Sequence, residues 1–202
     1  MTAISPLFPS NMHTPVSPDL SLQDALPAHA IDAAATHLRD ILAIALEHGP
    51  GQGALVVHDE RTPLSRALTE GYRRELPDAR FIDFDQATPE AVLAAFRAMA
   101  PKDLVVLVQS TNFRLDGFRI RVELFKLGLK VIEHVHLSRM PGPQSEHYIE
   151  ALAYDPAYFR GTGRALKRRI DVAPHARVEG GGETLHIGSP LEPAKLNVGD
   201  YS

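Results

Sequence analysis

Two histidines, His134 and His136, stand at the end of the fourth predicted strand of this 202-residue chain. Residues two apart on a strand share a face, as a two-histidine metal site requires. Glu133 would lie on the opposite face, where we expect it to be solvated or ion-paired. Because no third ligand stands at a suitable spacing, two interpretations stay open. The pair is either a metal or ligand site, or it belongs to the polar residues that commonly end a parallel strand.

Polar side chains also end the other predicted strands. Ligands of open α/β sheets bind at the carboxyl ends of the strands, so we predict a ligand site at this edge. The candidate ligand-binding residues are Asp59, Ser110, Asn112, His134 and His136. Ser110 lacks the flanking glycines of a nucleophile elbow, so acyl transfer through it is not expected. We assign no catalytic residue and no metal ligand within the chain.

Segments with helical periodicity alternate with short apolar runs that predict strands. This alternation indicates βαβ units and a doubly wound, mostly parallel, Rossmann-like α/β sheet. The predicted strands are residues 53–58, 80–84, 104–108 and 130–136. The predicted helices are residues 28–48, 62–76, 88–100, 118–127, 145–152 and 156–169.

Near the end of the chain, the alternation of helices and strands gives way to a different pattern. Gly180, Gly181 and Gly182 separate two short apolar runs and predict a β-hairpin. We expect three parts: a proline-rich leader at residues 1–26, extended or disordered; an α/β domain at 27–174; and a hairpin at 175–202 that begins an incomplete second domain. The leader has neither the basic start nor the apolar run of a secretory signal.

Composition narrows the function classes. The chain has no cysteine, which excludes disulfides, thiolate metal sites and cysteine nucleophiles. Its formal net charge of −4 argues against general binding of nucleic acid or anionic membranes, and we predict neither partner. The basic run at residues 163–169 is expected to be the solvated last turns of a helix. We predict a cytoplasmic protein.

The glycine-containing segments do not predict a nucleotide site. Residues 49–53 precede a strand, and residues 161–163 lie within a helical segment, whereas a dinucleotide fingerprint lies between a strand and the helix that follows it. We interpret the glycines of both segments as residues that end or interrupt helices.

Several segments together resemble a known family. They are the strands at residues 54–57 and 104–108, the helical segment 154–171, and the sequences at 178–187 and 197–200. Their order and their amino-acid sequences resemble the N-terminal portion of the aminopeptidase T/aminopeptidase S type of metallo-exopeptidases, also known as leucyl aminopeptidases or thermophilic metalloproteases. The resemblance implies an α/β domain followed by a second domain that begins with a similar glycine-rich hairpin.

The same resemblance implies that the metal ligands lie outside this chain. In the family, Glu, His, Asp and Tyr residues of the second domain bind paired divalent ions (Zn, Mn or Co). The first ligand follows a Pro-x-Gly-Glu type sequence that does not occur here, so we transfer no ligand to His186 or Asp200. No cofactor is expected in the chain itself.

Three functions follow as expectations. The first is the N-terminal domain of a metallo-aminopeptidase-like hydrolase, inactive alone, which would wall the cleft for a peptide or small-molecule substrate and contribute contacts to a homodimer. The second is a non-catalytic Rossmann-like module that binds a small ligand or a protein. The third is a relative of the non-haem iron ring-cleaving dioxygenases, which share the broad fold.

Overall fold

A computed structural model describes residues 25–115 and 120–196 of the chain. Four parallel strands form one sheet in the order β2-β1-β3-β4. They are β1 (Ala54–His58), β2 (Arg80–Asp83), β3 (Leu104–Val108) and β4 (Lys130–His134). The mixed α/β fold predicted from the sequence is confirmed.

Helices cover both faces of this sheet. Six helices lie within the described residues: α1 (Ala28–Asp40), α2 (Pro63–Glu75), α3 (Pro89–Arg97), α4 (Ile120–Lys126), α5 (Pro143–Glu150) and, away from the sheet core, α6 (Pro156–Asp171). The side chains of β3 alternate between the faces, and all are buried. Leu104, Val106 and Val108 pack with residues of α1, α2 and α5, whereas Val105 and Leu107 pack with residues of α3 and α4. A strand buried on both sides requires such a continuous apolar run.

Local sequence signals explain where several helices begin and how two of them pack. Thr62 caps α2 and Thr88 caps α3, each followed by proline at the first helical position. Gly71 of α2 faces α1, where a Cβ would lie 3.0 Å from Cδ1 of Leu38. A residue without a side chain therefore allows α1 and α2 to approach closely.

Some predicted boundaries differ from the structure. The first helix ends earlier, because α1 continues only into a π-helical turn, Ile41–Ala45, closed by a hydrogen bond from Leu46 N to Ile41 O. The fourth strand ends at His134 rather than His136, and a 3₁₀ turn, Leu137–Arg139, follows. The predicted start of the fourth helix, most of the leader and residues 197–202 lie outside the described residues.

The predicted hairpin is confirmed. Strands β5 (Ala176–Gly180) and β6 (Glu183–Ile187) pair antiparallel. The turn between them consists of Gly181 and Gly182, with φ angles of 59° and 83°. Two successive residues with positive φ match the tight turns that connect hairpin strands, and glycine adopts this conformation without strain. A domain boundary before the hairpin stays a prediction.

No helix within the described ranges is both long enough and apolar enough to cross a membrane.

Candidate functional site

The strand order reverses between β1 and β3, so the carboxyl ends of these two strands form the switch point of the sheet. Asp59, just beyond β1, donates its backbone N–H to the carbonyl of Val108 at 3.1 Å. Gln109, just beyond β3, donates to the carbonyl of His134 at 2.8 Å. The residues that follow the strands therefore continue the backbone pairing of the sheet.

Asp59 and Ser110, two of the predicted residues, bind each other at this switch point. The Asp59 side chain is fully buried and accepts hydrogen bonds from both the backbone N–H and the hydroxyl of Ser110, the former at 2.7 Å. The Ser110 hydroxyl also lies 3.2 Å from the hydroxyls of Thr62 and Ser65. This Asp59–Ser110 cluster joins β1, β3 and the start of α2.

The Asp59–Ser110 cluster has an electrostatic consequence. Thr62 and Ser65 form a capping box at the N-terminus of α2, in which each side-chain oxygen accepts a hydrogen bond from the backbone N–H of the other residue. Helix N-termini favour negative charge and commonly bind anions. Here the acidic side chain of Asp59 lies next to this N-terminus. The protein thus supplies its own acidic side chain at the position where open α/β folds often bind a phosphate.

His134 lies in a second buried cluster, on the sheet face covered by α1, α2 and α5. Its Nε2 is 2.8 Å from the hydroxyl of Tyr72, and its Nδ1 is 2.8 Å from the hydroxyl of Tyr148. Burial lowers the pKa of His134 to about 4 and raises the pKa of Tyr148 to about 12. Burial also raises the pKa of Tyr72 well above its usual value.

The His134 cluster is therefore neutral at physiological pH. A neutral imidazole donates from one nitrogen and accepts at the other, so one tyrosine accepts from the ring and the other donates to it. Both tyrosines lie on helices, Tyr72 on α2 and Tyr148 on α5, and neither is predicted from the sequence as a site residue. A metal ion at His134 would have to displace one of these two hydrogen bonds.

His136 does not continue the strand beyond His134. It adopts a left-handed backbone conformation (φ 57°, ψ 35°) and precedes the 3₁₀ turn. The strand alternation that would place both histidines on one face therefore stops before His136. Glu133 is ion-paired with Arg121 of α4, as predicted. Among the residues that the structure describes, no group of three or more His, Cys, Asp or Glu could hold a metal ion.

Asn112 lies apart from both buried clusters. It lines a cavity of about 360 Å³ between the ends of β3 and β4 and the start of α4. Nearby, Gln109 accepts a hydrogen bond from the backbone of Phe113 at 2.8 Å, and the ring of Phe113 stacks on Phe84 at 4.0 Å between centroids. The five predicted residues therefore lie at one edge of the sheet but do not form one site.

His58, at the end of β1, is a further buried histidine. Its Nδ1 lies 3.9 Å from an oxygen of the exposed Glu60 side chain, and its ring meets that of Phe81 edge to face. Burial lowers the pKa of His58, and the nearby Glu60 partly opposes this effect.

A groove at the same edge of the sheet was not predicted. It has a volume of about 780 Å³ and lies between the starts of α1, α2 and α5 and the 3₁₀ turn. Its apolar lining includes Leu26, Leu137 and Met140. Its polar lining consists of Thr62, Ser138, Ser145, Glu146, His147 and Glu150.

The groove adjoins the Asp59–Ser110 cluster, because Ser138 donates its backbone N–H to the carbonyl of Ser110 at 3.1 Å. The Ser145 hydroxyl donates to the carbonyl of Met140 at 2.6 Å and holds the start of α5 against the loop before it. Proline precedes or begins α1, α2 and α5, which marks each helix start in the sequence. Nothing in the sequence indicates that these three starts meet.

The chain matches no protein-family model, no curated protein and no solved structure.

Proposed function

We propose that this chain is a small-molecule-binding α/β domain whose ligand occupies the groove between the starts of α1, α2 and α5. The ligand class is a compact apolar molecule that carries an amino group. One observation carries the proposal: the described residues that line this apolar groove at the carboxyl edge of the sheet include acidic side chains and no lysine or arginine.

The position and size of the groove support this function. Ligands of open α/β sheets bind outside the carboxyl ends of the strands, near the point where the strand order reverses. Ligand pockets typically measure about 300–1,000 Å³ and combine an apolar lining with a few polar groups. The groove has a volume of about 780 Å³ and fits this description.

The charges around the groove select the ligand class. Glu146 and Glu150 of α5 both line it, and Glu150 lies 3.3 Å from Nδ1 of His147. The buried Asp59 side chain adds a further acidic group behind the neighbouring strand ends. These acidic side chains offset the positive ends of the helices that begin around the groove, and they attract an ammonium group more than a carboxylate or phosphate.

A pair of matched probes tests the proposal. Hexylamine and hexanoate have similar apolar bodies and opposite charges, so we expect hexylamine to raise the melting temperature more than hexanoate does. Glu146→Gln should weaken the effect of hexylamine. Glu90→Gln is the matched control, since Glu90 also lies in the first turn of a helix that begins with proline, but on the other face of the sheet. Equal stabilisation by the two probes, or equal loss in the two variants, would contradict the proposal.

A second candidate function is favoured by the hairpin. The order of a parallel α/β sheet, helix α6 and a glycine-turned hairpin is the order that the resemblance to metallo-aminopeptidases implies. In that case the chain is a supporting domain, and a separate domain binds divalent metal ions that activate a water for peptide hydrolysis. The groove would then contribute to the wall of the substrate cleft.

The second candidate predicts that the 202-residue chain releases no leucine from leucine p-nitroanilide when Zn²⁺, Mn²⁺ or Co²⁺ is added. Metal-dependent release by this chain would contradict it.

A cytoplasmic location remains part of the proposal, and cell fractionation tests it.

A further inference from the structure

The C-terminal part of the described chain presents apolar side chains to solvent in two consecutive elements. Helix α6 has 16 residues, none of them buried. In the hairpin, the side chains of Val178 and Leu185 are 56% and 60% exposed. Exposed large apolar groups that cluster in this way mark interaction surfaces more often than isolated ones do.

Three apolar residues and one glycine of α6 form a narrow seam. Phe159, Gly163, Leu166 and Ile170 follow one another at spacings of four, three and four residues. This is the spacing of a helix that packs against a single partner element, and it is narrower than the stripe of a helix laid on a globular core. Leu166, in the middle of the seam, is 54% exposed.

The hairpin has one apolar face, set by its register. Val178 pairs with Leu185, and Ala176 pairs with Ile187, so these four side chains lie on the same face. Glu183 follows on that face at the turn, where it pairs with Gly180. The opposite face carries polar residues, and Arg177 and Glu179 form an ion pair there. An isolated two-stranded hairpin is only marginally stable in water, so covering its apolar face would stabilise it.

Charge argues against pairing of α6 with another α6. The helix contains five arginine or lysine residues and one aspartate, a net charge of +4. Two such helices packed together would repel each other. The hairpin instead offers an acidic group on its apolar face, Glu183, and α6 has an exposed cation beside its seam, Arg169, three residues after Leu166. The seam of α6 and the flat face of the hairpin are therefore both apolar, and the charged groups beside them have opposite signs.

Within the described part of one chain, the two surfaces remain largely exposed. The segment after the hairpin returns to α6 along a different side: Lys167 donates to the carbonyl of Ala194 at 2.6 Å, and Ala194 donates to Asp171 at 2.8 Å. This contact leaves Leu166 on α6 and Leu185 on the hairpin exposed.

We propose that the chain forms a two-fold symmetric dimer in which α6 of each copy covers the hairpin of the other. The seam from Phe159 to Ile170 would pack on Val178 and Leu185 of the second copy, with Arg169 facing Glu183 across the interface. Two-fold symmetry makes each copy use both surfaces once, so the assembly closes at two chains. The dimer does not depend on the ligand groove.

Sedimentation velocity with charge-reversal variants tests this dimer. The wild-type chain should sediment as a dimer at micromolar concentration, and Glu183→Arg or Arg169→Glu should each shift it to monomer. The double variant, which exchanges the two charges, should recover the dimer. Glu179→Arg makes the same charge change on the polar face of the hairpin and should leave the dimer intact.

Circular dichroism establishes that each variant keeps the wild-type fold. A monomeric wild-type chain over the whole concentration range would overturn the proposal and indicate a different occupant of the surface. A double variant as monomeric as the single variants would overturn the pairing of Arg169 with Glu183 and, with it, the proposed packing.

Discussion

The α/β sandwich and the C-terminal α6–hairpin region differ in where their polar and apolar side chains lie. In the sandwich, polar groups such as Asp59, Ser110 and His134 are buried and hydrogen-bonded to protein partners. In the α6–hairpin region, apolar side chains such as Leu166 and Leu185 face solvent. The same chain thus buries polar groups at one place and exposes apolar groups at another.

This difference separates two roles. Buried polar groups require partners, and where they have them they fix the relative positions of strands and helices. Asp59, Ser110 and His134, which suggest a ligand site in the sequence, are therefore engaged in holding the fold. In the α6–hairpin region, large apolar side chains such as Leu166 and Leu185 are more than half exposed within the described chain, as expected of a surface that associates.

The largest expected effect contrasts two leucines. Leu107 is 1% exposed, and Leu107→Ala should lower the free energy of unfolding by about 2–5 kcal/mol through lost burial and a residual cavity. Leu166→Ala should change it by less than about 0.5 kcal/mol in the dilute monomer, because little burial is lost. Urea denaturation of both variants at low concentration measures the difference. Similar losses would show that α6 packs as part of the core.

The His134 cluster predicts a pH dependence. The pKa of His134 lies at about 4 in the folded protein, below the ordinary value of 6.5. Between these values the unfolded chain binds a proton that the folded chain does not, so stability falls as the pH falls from 6.5 to 4. The loss from this residue is about 3 kcal/mol, and it is absent above pH 6.5.

His134→Gln isolates this contribution, since glutamine can still donate to one tyrosine and accept from the other. Urea denaturation of wild type and variant from pH 7 to pH 4 should give a flatter dependence for the variant. The pH dependence of stability that remains in the variant includes contributions from His48 and His58, because burial also lowers their pKa values. Parallel curves for wild type and variant would contradict the role of His134.

The Asp59–Ser110 cluster predicts a smaller loss. Asp59→Ala removes the acceptor of the buried Ser110 N–H and hydroxyl and should lower the free energy of unfolding by about 2 kcal/mol. Glu179→Ala in the hairpin removes an exposed carboxylate and should change it by less than about 0.5 kcal/mol. Denaturation of both variants compares them. An unchanged free energy of unfolding in Asp59→Ala would show that the cluster is not needed for the fold. Asp59 and Ser110 would then be candidate ligand-binding residues again.

The smallest expected effect contrasts two helix caps. Thr62 accepts from the backbone of Ser65 at the start of α2, and Asp155 accepts from Tyr158 at the start of α6, each at 3.0 Å. Thr62→Ala should cost about 1 kcal/mol of global stability. Asp155→Ala should leave global unfolding unchanged and speed amide exchange only within α6. A global loss in both variants would mean that the two regions unfold as one unit.

The sequence predicts elements better than the contacts between them. The apolar run of β3 and the glycine-rich turn at Gly181 and Gly182 are local signals, and both elements form as expected. Placing Asp59 and Ser110 at one edge also follows from the parallel sheet. Their mutual hydrogen bond does not, because it joins residues 51 positions apart.

The other differences have similar causes. Tyr72 reads as one more apolar residue of an amphipathic helix, and its contact with His134, 62 positions away, depends on tertiary packing. The left-handed conformation of His136, which ends the strand alternation, has no glycine to signal it. The groove forms where the starts of three helices meet, and the sequence marks each start but not their proximity.

The contrast between the two regions is tested most directly by amide hydrogen exchange, measured residue by residue at low and high protein concentration. We predict that amides of β1, β3 and β4 exchange slowly at both concentrations, whereas amides of α6 and the hairpin exchange fast in the monomer and become protected as the concentration rises. Hairpin amides that are as protected as those of β3 at low concentration, with no dependence on concentration, would contradict the proposed difference between the two regions.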